Sequence, residues 1–135
     1  MATLHPKHIL VADDDETMQS LISFQLMSWG YRHIMTAADG LEALSRLQSH
    51  IQFGLIITDL NMPRMGGAEL IRQVQNDPLR QQVPIIMVSE PTPGQAEELR
   101  HFLRQRNVSF VPKSQVVGAG HDLLTAIRQI ELRLA

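Results

Sequence analysis

Three carboxylates, one hydroxyl and one ammonium occupy matching places along this chain: Asp13 and Asp14, Asp59, Ser89, and Lys113. Each follows a short aliphatic run. Ile9-Leu10-Val11-Ala12 leads to the acidic pair, Leu55-Ile56-Ile57-Thr58 to Asp59, Ile85-Ile86-Met87-Val88 to Ser89, and Val108-Ser109-Phe110-Val111 to Pro112-Lys113. Runs of this kind are the pattern of strands buried on both faces of a parallel sheet. Ligands of open α/β sheets sit beyond the carboxyl ends of such strands. Brought to one edge, the carboxylates repel, and each raises the pKa of its neighbours unless a cation is present. Oxygen ligands without Cys or His favour a hard ion, and Mg²⁺ fits best. A divalent ion between Asp59 and an incoming phosphate would relieve the repulsion of two anions. The ionised Asp59 could then attack phosphorus and form an acyl phosphate. Lys113 and the Ser89 hydroxyl could each hold a phosphoryl oxygen.

The bulk composition permits this and excludes other classes. The 135 residues suggest one domain over 1–135, with a core over about 8–134 and no output domain of its own. Apolar residues make up 44% of the chain, so a packed core is expected. Aromatics are only 4%, too few for a base-stacking platform, and the net charge of -2 gives no basic patch, so no nucleic acid is expected. The absence of Cys excludes disulfides, thiol catalysis and Cys-based zinc sites. No apolar run is long enough to span a bilayer and no signal peptide opens the chain, so no membrane and a cytoplasmic location are expected.

The elements that position these groups read in order. After the first strand, Asp15 and Glu16 suit the start of a helix carrying Met18, Leu21, Ile22, Leu26 and Trp29, with Gly30 as its stop. Tyr31 to Thr36 reads as a second, edge-like strand. Asp39 caps a helix whose inner face is Leu41, Leu44 and Leu47. The Asp59 strand follows, then a turn with Pro63 and a Gly pair. Leu70, Ile71 and Val74 mark a third helix, ending before Pro78. Beyond Ser89, Thr92-Pro93 with Gln95 forms a capping box at the head of a helix with Leu99, Phe102 and Leu103. After the fifth strand, Leu123, Ile127, Ile130 and Leu134 stripe one last helix. Five strand–helix alternations imply a parallel sheet with helices on both faces, and right-handed crossovers bring all five carboxyl ends to one edge.

Each polar group also has a plainer role. Asp59 could simply cap a loop, and Asp15 and Glu16 are read as a solvated helix start. Ser89 alone suits a strand-end hydroxyl, and Lys113 alone a surface lysine. Lys113 is, however, one of only two lysines beside ten arginines, which suggests a point charge is wanted there. The six His residues are read as surface, and the Met residues as core.

In order and spacing, Asp13-Asp14, the segment Asp59-Leu60-Asn61-Met62-Pro63-Arg64-Met65-Gly66-Gly67, Ser89 and Lys113 resemble the signature of the receiver domain of two-component response regulators. The resemblance runs from about Ile9 to the last helix. It implies a flavodoxin-like, doubly wound (βα)5 fold with strand order 2-1-3-4-5. It also implies that Asp59 takes a phosphoryl group from a histidine kinase or phosphotransfer protein. By the same resemblance Asp14, Asp59 and the backbone carbonyl of Asn61 bind Mg²⁺, with Asp13 acting largely through water. Ser89 closes on the phosphoryl oxygen, and Phe110 holds the position of an aromatic switch. The face of the fourth helix, fifth strand and fifth helix would then change its affinity for a downstream protein. Such a domain catalyses its own phosphorylation and dephosphorylation without being a conventional enzyme.

Three positions depart from the family pattern. Ser114 follows Lys113 where the family usually has proline. Glu90 follows Ser89 where a small residue is usual, and a large acid there would crowd or repel the phosphate. Phe110 lacks the hydroxyl of the common tyrosine. These departures keep open a second reading, a pseudo-receiver adaptor that binds partners independently of phosphorylation. A haloacid-dehalogenase-type phosphatase would want a second Asp two positions after its nucleophile, where this chain has Asn61. A dinucleotide-binding domain would want a Gly-rich turn after the first strand, which is missing.

Overall fold

The computed structural model describes residues 7–117 and 121–134. Five strands and six helices follow one another: β1 (His8–Ala12), α1 (Glu16–Ser28), β2 (Ile34–Ala37), α2 (Gly40–Leu47), β3 (Phe53–Thr58), α3 (Gly67–Gln75), β4 (Ile85–Ser89), α4 (Pro93–Gln105), β5 (Ser109–Pro112), α5 (Lys113–Val116) and α6 (His121–Leu134). The strands form one sheet of order β2-β1-β3-β4-β5, and every pairing is parallel. This is the doubly wound order expected from the sequence.

The alternation of side chains across the pleat explains why the strands are apolar throughout. Ile9 and Val11 of β1, Leu55 and Ile57 of β3, and Ile86 and Val88 of β4 face one layer, where they meet Ile22 and Leu26 of α1 and Leu123, Ile127 and Ile130 of α6. Leu10, Ile56, Ile85 and Met87 face the other layer, with Leu47 of α2, Leu70, Ile71 and Val74 of α3, and Leu99 and Leu103 of α4. Burying one such side chain contributes about 1.5–3 kcal/mol.

Five details differ from the sequence reading. β2 begins at Ile34, not Tyr31. The end of α1 takes the intervening residues: Gly30 adopts φ +97°, and the Tyr31 N–H donates to the Leu26 carbonyl at 3.0 Å. The Tyr31 ring is then buried, and its hydroxyl donates to Glu131 at 2.6 Å. Leu41 is exposed, because the buried face of α2 is Gly40, Ala43 and Leu47. Met27 and Leu134 are exposed rather than core, Met27 on the outer side of α1 and Leu134 at the last residue of α6. The fifth strand runs from Ser109 to Pro112, one residue late. The single-turn α5 intervenes before α6, where one helix was expected.

The turn after β3 depends on a glycine. A Cβ at Gly67 would collide with the carbonyl oxygen of Asp59, so α3 can begin this close to the strand end only without a side chain. Gly94 in α4 has open space around its Cα. Gly67→Ala is therefore expected to destabilise the protein by about 1–3 kcal/mol, the usual cost of overpacking. Gly94→Ala should stabilise it by up to about 1 kcal/mol through helix propensity. Urea unfolding of the two variants checks both signs.

Candidate functional site

The register of the sheet assembles the site. Ala12 pairs with Thr58, so the residues that follow, Asp13 and Asp59, emerge side by side. Their backbones extend the ladder: the Asp59 N–H donates to the Ala12 carbonyl at 2.9 Å and the Asp13 N–H to the Ala37 carbonyl at 3.0 Å. Ser89 pairs with Pro112, the residue before Lys113, which brings the hydroxyl and the ammonium to the same edge. Asp13, Asp59 and Ser89 are buried, and Asp14 is exposed at the rim.

Lys113 joins the two buried acids. Its Nζ lies 3.1 Å from Asp59 Oδ2 and 3.3 Å from Asp13 Oδ2. The other oxygens are held by backbone. Asp59 Oδ1 accepts the Leu60 N–H at 2.7 Å, and Asp13 Oδ1 accepts the Asp15 N–H at 2.9 Å. One carboxylate oxygen from each of Asp13, Asp14 and Asp59 lies within 4.8 Å of the others. Three carboxylates against one ammonium leave a net negative charge in a pocket of oxygen donors. That donor set fits a hard divalent cation.

The titration behaviour follows from this crowding. Burial, aided by the charge of Asp59, raises the pKa of Asp13 above the ordinary carboxylate value, against the Asp15 N–H and Lys113, which lower it. Burial would lower the pKa of Lys113, but its hydrogen bonds and charge interactions with Asp59 and Asp13 outweigh it and raise the value. A carboxyl whose pKa rises on folding costs stability once it ionises.

The sequence-derived residues distribute as follows. Asp13, Asp14, Asp59 and Lys113 come together, with Ser89 at the adjoining strand end. Asn61 is exposed on the β3–α3 loop, its Oδ1 3.5 Å from Gln95 Nε2 of α4. Phe110 is half-buried against the α2–α3–α4 layer. Glu90, directly after Ser89, is exposed. Its Oε1 accepts the backbone N–H of Ser114 at 2.7 Å.

Several supporting residues were not anticipated. Gln19 of α1 donates to the Asp13 carbonyl at 2.6 Å and to the Ala37 carbonyl at 3.2 Å, fixing the start of the acidic turn. Arg64, in the left-handed region at φ +64°, places Nε and Nη2 each 2.8 Å from Asp39 Oδ2. Asp39 also caps α2 through the Glu42 N–H at 2.8 Å, and that bond, followed by Arg64, holds its pKa below the usual range. The Gly40 N–H donates to the Met65 carbonyl at 2.8 Å, a second tie between α2 and the loop after Asp59. Asp39 was legible as a cap; its second partner carries no local signal.

The strain at Asp13 has a measurable sign. In the absence of divalent cation, Asp13→Asn keeps an acceptor for the Asp15 N–H and removes the penalised charge. It should raise the melting temperature at neutral pH by about 3 °C, the shift for roughly 1 kcal/mol in a domain of this size. Calorimetry with and without Mg²⁺ checks it: the wild type should gain more from the ion than the variant.

The sequence pattern of the response regulator receiver domain matches residues 9–128. Over 81 residues the chain is 37% identical to chemotaxis protein CheY1 of Helicobacter pylori, covering 60% of this chain and 65% of that protein. The chemotaxis protein CheY homolog of Campylobacter jejuni is also 37% identical over 81 residues, covering 60% of this chain and 62% of that protein. The matches thus span just under two thirds of these relatives' lengths. Among solved structures, chemotaxis protein CheY4 of Vibrio cholerae superposes with a TM-score of 0.73 at 28% identity, covering 93% of this chain and 99% of that one. The response regulator TrrA of Thermotoga maritima, solved in complex with Mg²⁺ and beryllofluoride, gives 0.75 at 26% identity, covering 92% and 98%. The profile match across nearly the whole sheet, together with the acidic edge, establishes that the chain belongs to the response regulator receiver domain family.

Proposed function

We propose that residues 8–134 act as one receiver domain in which Asp59 accepts a phosphoryl group and so switches contacts with other proteins. The observation that carries this is the buried Asp59 carboxylate, 3.1 Å from the Lys113 ammonium and clustered with Asp13 and Asp14. The donor is a phosphohistidine of a histidine kinase or phosphotransfer protein. A carboxylate oxygen of Asp59 attacks phosphorus, a P–O bond forms, and the P–N bond breaks with its electron pair returning to the imidazole nitrogen. Hydrolysis of the acyl phosphate later restores Asp59.

The other residues take roles around that exchange. Lys113 exchanges part of its contact with Asp59 for a phosphoryl oxygen, and the Ser89 hydroxyl donates to another. Asp14, Asp59 and the Asn61 carbonyl are the proposed holders of Mg²⁺, with Asp13 acting through water. The bound ion would neutralise charge where two anions must approach. The TrrA complex with Mg²⁺ and beryllofluoride supports this assignment. Movement of Ser89 and inward packing of Phe110 would shift the population of the α4–β5–α6 face towards a form that binds a downstream protein. The setting is the cytoplasm; among the described residues no helix is long and apolar enough to cross a membrane. The adaptor reading rests partly on a large acid at Glu90, whose Oε1 accepts the Ser114 N–H.

The test is intact-protein mass spectrometry after incubation with acetyl phosphate and Mg²⁺. One phosphoryl adduct is expected, dependent on Mg²⁺ and absent from Asp59→Asn. No adduct, together with no binding of beryllofluoride by fluorine NMR, would replace this reading with the adaptor. Lys113→Ala should keep its fold yet lose the shifts that beryllofluoride produces at Phe110 in proton–carbon NMR.

A further inference from the structure

Two of the positions at which the chain departs from the family pattern touch each other. Glu90 leaves β4 directly after Ser89, and Ser114 follows Lys113 at the start of α5. The Glu90 carboxylate accepts the Ser114 N–H at 2.7 Å, a bond between residues 24 apart in sequence. A proline at 114 would have no N–H to give. A small side chain at 90 would have no carboxylate to receive it. Each departure makes sense only with the other.

We infer that Glu90 is a positioning residue for the phosphoryl exchange, a latch that fixes Lys113 by holding the next backbone amide. This rests on the reading of Asp59 as phosphoryl acceptor. The bond pins the chain one residue after Lys113, whose ammonium must reach Asp59 Oδ2 at 3.1 Å and Asp13 Oδ2 at 3.3 Å together. It also joins the residue after Ser89 to the residue after Lys113. The two groups that grip the phosphoryl oxygens therefore move as one unit. The far end of the same loop is fixed as well: Gln95 Oε1 accepts the Thr92 N–H at 3.1 Å, and Gln95 Nε2 approaches Asn61. The loop from Glu90 to Gln95 thus runs between the Lys113 turn and the Asp59 loop, bonded to both.

The latch and simple repulsion by an acid predict opposite results. Under the latch, labelling of Asp59 by acetyl phosphate slows by about tenfold in Glu90→Ala, the scale of one charge-assisted hydrogen bond. Glu90→Gln, whose amide oxygen still accepts the Ser114 N–H, recovers most of the rate. Under repulsion, Glu90→Ala and Glu90→Gln both label faster than the wild type, and that result overturns the latch. Ser114→Pro removes the donor, so it should slow labelling as Glu90→Ala does, and the double variant should be no slower than either single one. Additive losses would overturn the coupling. Nitrogen–proton NMR reads the bond without phosphorylation: the Ser114 amide signal should move upfield in Glu90→Ala and stay near its place in Glu90→Gln. A signal indifferent to Glu90 dismisses the latch whatever the labelling shows. Failure of the wild type to label, with the amide response intact, instead counts against Asp59 as acceptor.

Discussion

Everything at the carboxyl edge of the sheet depends on one ammonium between two buried carboxylates. Asp13 and Asp59 are adjacent because β1 and β3 are adjacent and parallel, with Ala12 opposite Thr58. Without a cation their charges would resist folding. Lys113 supplies that cation from the residue that follows β5, a strand two places away from β3. Its position explains why a lysine serves here: a compact charge on a flexible stem can face two carboxylates and still turn to a third anion, whereas a guanidinium is committed by its planar fork. Burial, aided by the charge of Asp59, raises the pKa of Asp13, and the excess of carboxylates over ammonium is what makes the pocket receptive to a hard cation.

The scaffold makes that arrangement stiff. Each acid ends a strand buried on both faces, so its backbone is fixed by ladder hydrogen bonds on the sheet and by packing above and below. The chemistry is then placed on the first loop residues beyond a rigid element, a common division of labour in α/β proteins. Gly67 extends the stiffness past the strand, because the helix begins in contact with the Asp59 carbonyl.

Much of this was legible in the sequence, and the reason is the parallel sheet. Continuous apolar runs revealed the strands, and alternation with helical stripes implied a parallel sheet with Asp13, Asp59, Ser89 and Lys113 at one edge; the strand order came from the family resemblance. What escaped had no local signature. Tyr31 looked like strand by its type, yet its amide completes α1 and its ring enters the core. Leu41 fitted a helical stripe, but the buried face is Gly40, Ala43 and Leu47, and at Gly40 the close approach of Met65 leaves no room for a side chain. Arg64 and Gln19 act through tertiary contacts that neither spacing nor composition records. Glu90 and Ser114 were each noticed as anomalies, but their hydrogen bond crosses 24 positions and is visible only in space.

The ties around Asp59 are unevenly distributed. On the α2 side the Asp59 loop is moored at two points, Arg64 to Asp39 and the Gly40 amide to the Met65 carbonyl, and the loop is closed on itself by the Gly67 amide on the Leu60 carbonyl at 2.9 Å. Both moorings end on buried residues at the head of α2. On the opposite side, Glu90 and Ser114 are fastened to each other across exposed surface, and Phe110 is only half-buried. The domain is thus built like a vice with one fixed jaw. The backbone and ion-pair ties of the Asp59 loop thus run towards α2, while the β4–β5 side carries one exposed tie, which gives a symmetric-looking sheet a direction.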